Sequence, residues 1–79
     1  MEFTAYFTAM RTRPDRAGIR MEWIEHAVLN PGHEEVQTDG RIRRWARIPE
    51  AEGRWLRVIL LEDGKTVHNA FFDRRFEEK

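Results

Sequence analysis

Between Arg41 and Arg57 the chain places Arg41, Arg43, Arg44, Arg47, Arg54 and Arg57 against only Glu50 and Glu52, and threads Trp45 and Trp55 through the same stretch. Every cation there is arginine, whose planar fork meets phosphate or carboxylate bidentately and stacks on aromatic rings. Interleaved rings and guanidinium groups suit single-stranded RNA. Unstacked bases lie on aromatic faces, each contributing about 1–3 kcal/mol, while arginine neutralises the phosphates. The same residues also suit Arg–Trp cross-strand pairs of about 0.5–1 kcal/mol each, or an apolar surface closed by dimerisation.

Cutting RNA requires a proton-transfer group beside those cations. Of His26, His33, His68, Tyr6 and the carboxylates, His68 is the best placed, in a strand expected on the arginine-bearing face near Arg43 and Arg57. Flanking cations there favour the neutral base form of the ring. His68, Arg57 and Arg43 are the candidate catalytic set of a metal-independent ribonuclease, and Arg41, Arg47, Trp45 and Trp55 the candidate RNA contacts. The competing reading of His68 is a partly buried surface histidine. His26 falls in a helix and His33 in the loop after it, neither with a site around it. No HxxxH or HxH spacing exists, so no metal site is expected. The chain has neither serine nor cysteine and no glycine-rich phosphate loop. Serine nucleophiles, disulfides and thiolate metal sites are therefore excluded, and no cofactor is implied.

The elements that must position these groups belong to one domain, residues 1–79. A chain of that length buries only about 60% of its unfolded surface, so a partner or a second copy covering part of it is a reasonable expectation. The formal charge is balanced, but residues 1–40 carry four basic against seven acidic residues and residues 41–79 ten against seven. No basic, apolar leader opens the sequence, and the longest apolar run is Val58-Ile59-Leu60-Leu61. No membrane association and a cytoplasmic location are the expectation.

Phe3, Tyr6, Phe7 and Met10 fit a helical stripe, although Phe3, Ala5, Phe7 and Ala9 also alternate as in a strand; a helix ending before Pro14 is expected. A second helix carries Met21, Ile24, Ala27 and Val28 on one face and stops at Asn30-Pro31-Gly32, with Arg20 a poor N-cap. From Glu34 the period becomes two. Asp39-Gly40 and Asp63-Gly64 read as two-residue hairpin turns, giving strands near 34–38, 41–48, 54–62 and 65–73. Register set by those turns opposes Leu60 to Val67, Val58 to Asn69 and Leu56 to Phe71, and adds Ile42, Ala46 and Ile48 to the same apolar side. Arg44 and Asn69 are its polar exceptions. The opposite side collects Arg41, Arg43, Trp45, Arg47, Trp55, Arg57, Ile59, Leu61, His68, Ala70 and Phe72, with Trp45 opposite Arg57 and Trp55 opposite Arg47. The expected fold is α+β, two N-terminal helices on one face of a four-stranded antiparallel meander. The tail from Asp73 to Lys79 reads as a solvated end that can bring Arg74 or Arg75 to the edge of the basic face.

Gly18-Ile19, Trp23-Ile24, Val28-Leu29-Asn30-Pro31, Gly40-Arg41, Leu56-Arg57-Val58-Ile59 and Thr66-Val67-His68-Asn69-Ala70-Phe71 together resemble a family of small prokaryotic proteins of unknown function grouped with RelE-type toxins. The resemblance spans most of the chain in short pieces. It implies a RelE-like fold and an RNA-binding or RNA-cleaving domain, the toxin of a toxin–antitoxin pair whose acidic antitoxin covers the arginine-bearing face. The chain departs from the pattern at Tyr6-Phe7, where the family often has His-Ala, and in the longer spacing from Met10 to Gly18. The alternative is a non-enzymatic interaction domain, or a homodimer, that uses the same Arg/Trp face.

Overall fold

Thr4 attaches the start of the chain to the sheet and caps the first helix. Its N–H donates to Val67 O at 3.0 Å, and its hydroxyl accepts the Phe7 N–H at 3.0 Å. The computed structural model describes residues 1–77; Glu78 and Lys79, the end of the expected solvated tail, lie outside the described residues. Strand β1 (Glu2–Phe3) precedes Thr4 and helix α1 (Ala5–Met10) follows it, burying Phe7. The opening segment therefore satisfies both of its sequence patterns in turn, strand up to Phe3 and helix after the cap. Pro14 does not merely end that helix. It occupies the first position of a short helix α2 (Pro14–Ala17), where its fixed φ and missing N–H cost nothing.

Helix α3 (Met21–Leu29) is the expected second helix, with Ile24 and Ala27 buried and Arg20 providing no side-chain cap. Its last turn is closed from the sheet: Arg44 Nη1 donates to Val28 O at 2.8 Å while Nε bonds Glu34 Oε2 at 2.6 Å. That explains the arginine on the helix-facing side.

Strands β2 (His33–Val36), β3 (Ile42–Ile48), β4 (Arg54–Leu60) and β5 (Thr66–Phe72) form the expected antiparallel meander. β1 adds a fifth strand, parallel to β5 through Glu2↔Thr66 and Phe3↔Val67, so the sheet is mixed, in the order β1-β5-β4-β3-β2. Helix α3 packs on β3 and β4, and α1 on β5. Beneath them Ile24, Ile48, Leu56, Val58, Leu60 and Val67 are completely enclosed. Among the described residues no helix is long and apolar enough to cross a membrane.

The β3–β4 register matches expectation throughout, including Trp45↔Arg57 and Arg47↔Trp55. The β4–β5 register begins as expected at Leu60↔Val67 but then slips, giving Ile59↔Asn69, Val58↔Ala70 and Leu56↔Phe72. His68 is the extra residue of a β-bulge. Beyond it every side chain changes face, so Ala70 and Phe72 join the core side while Asn69 and Phe71 take the other. This corrects the expected pairings of Val58 with Asn69 and Leu56 with Phe71.

Neither Asp-Gly turn is a two-residue hairpin. Such a turn of the Asn-Gly or Asp-Gly type needs positive φ at both residues, whereas only the glycines have it, Gly40 at 91° and Gly64 at 69°. Each aspartate instead braces a longer loop. Asp63 accepts hydrogen bonds from the Thr66 hydroxyl (2.6 Å), the Thr66 N–H (2.9 Å) and the Lys65 N–H (2.8 Å).

The Thr66 hydroxyl and these backbone donors lower the Asp63 pKa from 3.8 to about 2. Because the folded value is depressed, the stability this carboxylate contributes is complete above the unfolded value and is lost as pH falls through about 2. An NMR titration of the Asp63 carboxyl should give a midpoint near 2, and Thr66→Val should move that midpoint towards the ordinary range.

Candidate nucleic-acid interface

On the sheet face turned away from the helices, β3 presents Arg43, Trp45 and Arg47, and β4 presents Trp55, Arg57 and Ile59. Gly32 lets the chain enter this face closely. Its N–H donates to Trp45 O at 2.7 Å, and a Cβ there would lie 3.1 Å from the Trp55 ring.

The C-terminal segment then folds back over the face instead of projecting into solvent. Asp73 N–H donates to Trp55 O at 2.9 Å, and its Oδ2 accepts the Trp45 Nε1–H at 3.0 Å and lies 3.5 Å from Arg57 Nη1. Its other oxygen accepts the Arg75 N–H at 3.0 Å. Phe76 lies on Trp45 with ring centroids 4.9 Å apart and planes 20° apart, an offset stack, and meets Trp55 at 4.8 Å and His33 at 5.5 Å. Trp45 is left only 3% exposed. The tail up to Phe76 is therefore part of the folded domain.

Burial pushes the Asp73 carboxyl up, but hydrogen bonds from Trp45 and Arg75 and the charge of Arg57 outweigh it and hold the group below its ordinary value. Arg57 lies between two rings, its guanidinium carbon 5.6 Å from the Trp45 centroid and 5.1 Å from that of Phe71. Among the described residues no acceptor meets its buried Nε. Arg43 is held from β2's side: with the Gln37 amide oxygen turned towards it, Nε and Nη2 donate at 2.6 and 2.7 Å.

A groove of about 540 Å³ follows the segment, lined by Arg43, Arg57 and Arg75, by Glu35, Asp73 and Glu77, and by His33, Trp45 and Phe76. Of the candidate residues named from the sequence, this groove brings together Arg43, Arg57 and Trp45, with Trp55 joined to it through Phe76. Arg41 lies apart, in a cleft with Asp39 and Leu61. Arg47 donates to Gly53 O at 3.3 Å and lines a separate groove with Trp23 and His26.

His68 does not line the groove that holds Arg43 and Arg57. Its ring stacks on Tyr6 at 4.9 Å, and its Nδ1 is 3.1 Å from the Thr4 hydroxyl. Burial, then the charge of Arg41, lowers its pKa below 6.5. The imidazole that does line the groove belongs to His33, whose Nε2 is 3.1 Å from Glu35 Oε2. His33, Glu35, Asp73, Phe76 and Glu77 complete the groove beyond the sequence-based candidates, together with Arg75, which the sequence brings to the edge of the basic face. The one sequence signal for this arrangement is Phe76, a large apolar residue alone in a run of charges.

No protein-family model, curated protein or solved structure matches this chain.

Asp73→Ala would leave the buried Trp45 N–H and the half-buried Arg57 without their shared acceptor. It should lower unfolding stability in urea by about 1–3 kcal/mol, with Asp73→Asn, which retains an acceptor for Trp45, losing less. Because His68 binds its proton less readily in the folded chain, its contribution to stability is whole above pH 6.5 and declines as pH falls below that value. His68→Gln should flatten this limb of the stability curve.

Proposed function

We propose that this chain is a RelE-like domain that binds single-stranded RNA along the groove beside Trp45. The observation that carries the reading is the convergence of Arg43, Arg57 and Arg75 with the rings of His33, Trp45 and Phe76 around one open groove. Guanidinium groups supply phosphate contacts and rings supply sequence-tolerant stacking, the two components of single-strand binding. The reading is of binding: His68, the proton-transfer candidate named from the sequence, is engaged by Thr4 and Tyr6 and lies outside the groove, and the imidazole within it, His33, is paired with Glu35. The resemblance to RelE-type toxins extends the proposal to a toxin–antitoxin pair. An acidic antitoxin segment would use the same guanidinium groups as the RNA.

A second reading, a non-enzymatic protein-interaction or dimerisation domain, is favoured by Glu35, Asp73 and Glu77, which set three carboxylates against the three guanidinium groups of the groove. Salt separates the two readings. Fluorescence anisotropy of a labelled single-stranded oligoadenylate should show an affinity that falls with salt, log K against log salt having a slope of about −1.4 for the two phosphate contacts of Arg43 and Arg75. Arg75→Ala should reduce that slope by about 0.7, and Trp55→Ala should weaken binding by about 1–3 kcal/mol. The oligonucleotide should remain intact. No binding at low salt, together with a salt-insensitive dimer that shields Trp55, would reject RNA in favour of the interaction domain.

A further inference from the structure

Trp45 is the central ring of the groove, yet its indole face is covered and its N–H is occupied. What covers it is what a base would offer: a flat ring, Phe76, lies offset on the indole, three residues after Asp73, whose carboxylate is paired with Arg57. We infer that Phe76 occupies the nucleobase subsite of the groove, so that the C-terminal segment competes in cis with single-stranded RNA. This rests on the RNA-binding reading and adds to it the position of the stacked base and a limit on affinity set by the chain itself.

The two residues hold the segment in different ways. Asp73 is fixed by the Trp55 carbonyl, the Trp45 N–H and Arg57, and it stays with the sheet. Among the described residues, the last backbone hydrogen bond of the segment is Arg75 N–H to Asp73 Oδ1, and Phe76 follows it held by ring contacts to Trp45, Trp55 and His33. Rotation of the chain after Arg75 can therefore lift the ring without disturbing the carboxylate. A base entering in its place stacks on Trp45 and Trp55, with its phosphate directed to Arg43 and Arg75 and the Arg57–Asp73 pair left intact. Nothing in such a stack reads the base edge, so the subsite discriminates poorly among bases.

A gate closed about nine-tenths of the time lowers apparent affinity about ten-fold, and removing the gate restores it. Phe76→Ala in the full chain should bind single-stranded oligoadenylate and oligouridylate about ten-fold more tightly than the unaltered protein. Phe76→Trp, with a larger stacking ring, should bind no more tightly than the unaltered protein. Phe76→Leu keeps an apolar cover without the aromatic face and serves where Phe76→Ala fails to fold as judged by circular dichroism; it too should bind more tightly. Equal affinity of the unaltered protein and the Phe76→Ala or Phe76→Leu chain would overturn the gate while leaving RNA binding in place. Weaker binding by those variants would also overturn it, making Phe76 part of the platform. Absence of binding by every form, ungated variants included, would reject the RNA reading and the gate with it.

Discussion

Side chains of a strand alternate between the two faces of the sheet, so one extra residue reverses every face beyond it. In β5 that residue is His68, and the uncovered side of the sheet depends on it. Continued without a bulge from Leu60↔Val67, β5 would turn Phe71 towards the helices and bring Asp73 to the same side. With the bulge, Leu56 meets Phe72 on the core side and Asp73 arrives beside Trp55 on the other. The bulge is held at the N-terminal end of the strand, where Thr4 bonds Val67 O and approaches His68 Nδ1, and Tyr6 stacks on the ring.

Asp73 is what that reversal delivers. An indole N–H and a guanidinium turned into a poorly solvated place each need an acceptor, and an unpaired buried charge is much more costly than an unpaired amide. One carboxylate oxygen meets both Trp45 and Arg57. This local electrostatic balance extends to most arginines of the 41–57 stretch. Arg44 binds Glu34 and a helix carbonyl, Arg54 binds Ala51 O and lies over Phe72, and Arg47 binds Gly53 O. A count of arginines therefore overstates the charge free to meet a ligand. Arg75 flanks the groove exposed, Arg43 flanks it half-buried and bonded to Gln37, and Arg57 is committed to Asp73.

The central hairpin was legible in the sequence because its two strands alternate strictly and its connecting loop offers few solutions. Pro49–Ala51 forms one 3₁₀ turn, and Glu52 and Gly53, at φ 61° and 72°, reverse the chain without shifting the pairing. Helix α3 was legible from its apolar spacing and its Asn30-Pro31-Gly32 stop. The bulge at His68 was not, because nothing in Val67-His68-Asn69 distinguishes a bulged from a regular strand; the deciding contacts come from Thr4 and Tyr6, more than sixty positions away in sequence. The parallel strand β1 was hidden for a related reason, since two residues are too few to show a period. The pairing and faces of residues on β3 and β4 were consequently read correctly, although Arg47 lines a separate groove, whereas those on or after β5, His68 above all, depended on a register the sequence does not contain.

Both ends of the chain therefore bear on a site that the sequence locates in its middle. The meander alone supplies Arg43, Trp45, Trp55 and Arg57, a pattern that any antiparallel hairpin with these residues would show. The N-terminal segment sets the face on which β5 ends, and the C-terminal segment then supplies the carboxylate and the ring that complete the groove. Because Thr4 approaches the bulged imidazole while also capping α1, that geometry is tied to the core through Phe7, and because Asp73 bonds both the backbone of β4 and the indole of β3, it is tied to the sheet. Phe76 alone is tied by stacking. The polar frame of this surface is thus held by hydrogen bonds and, among the described residues, its aromatic cover by ring contacts.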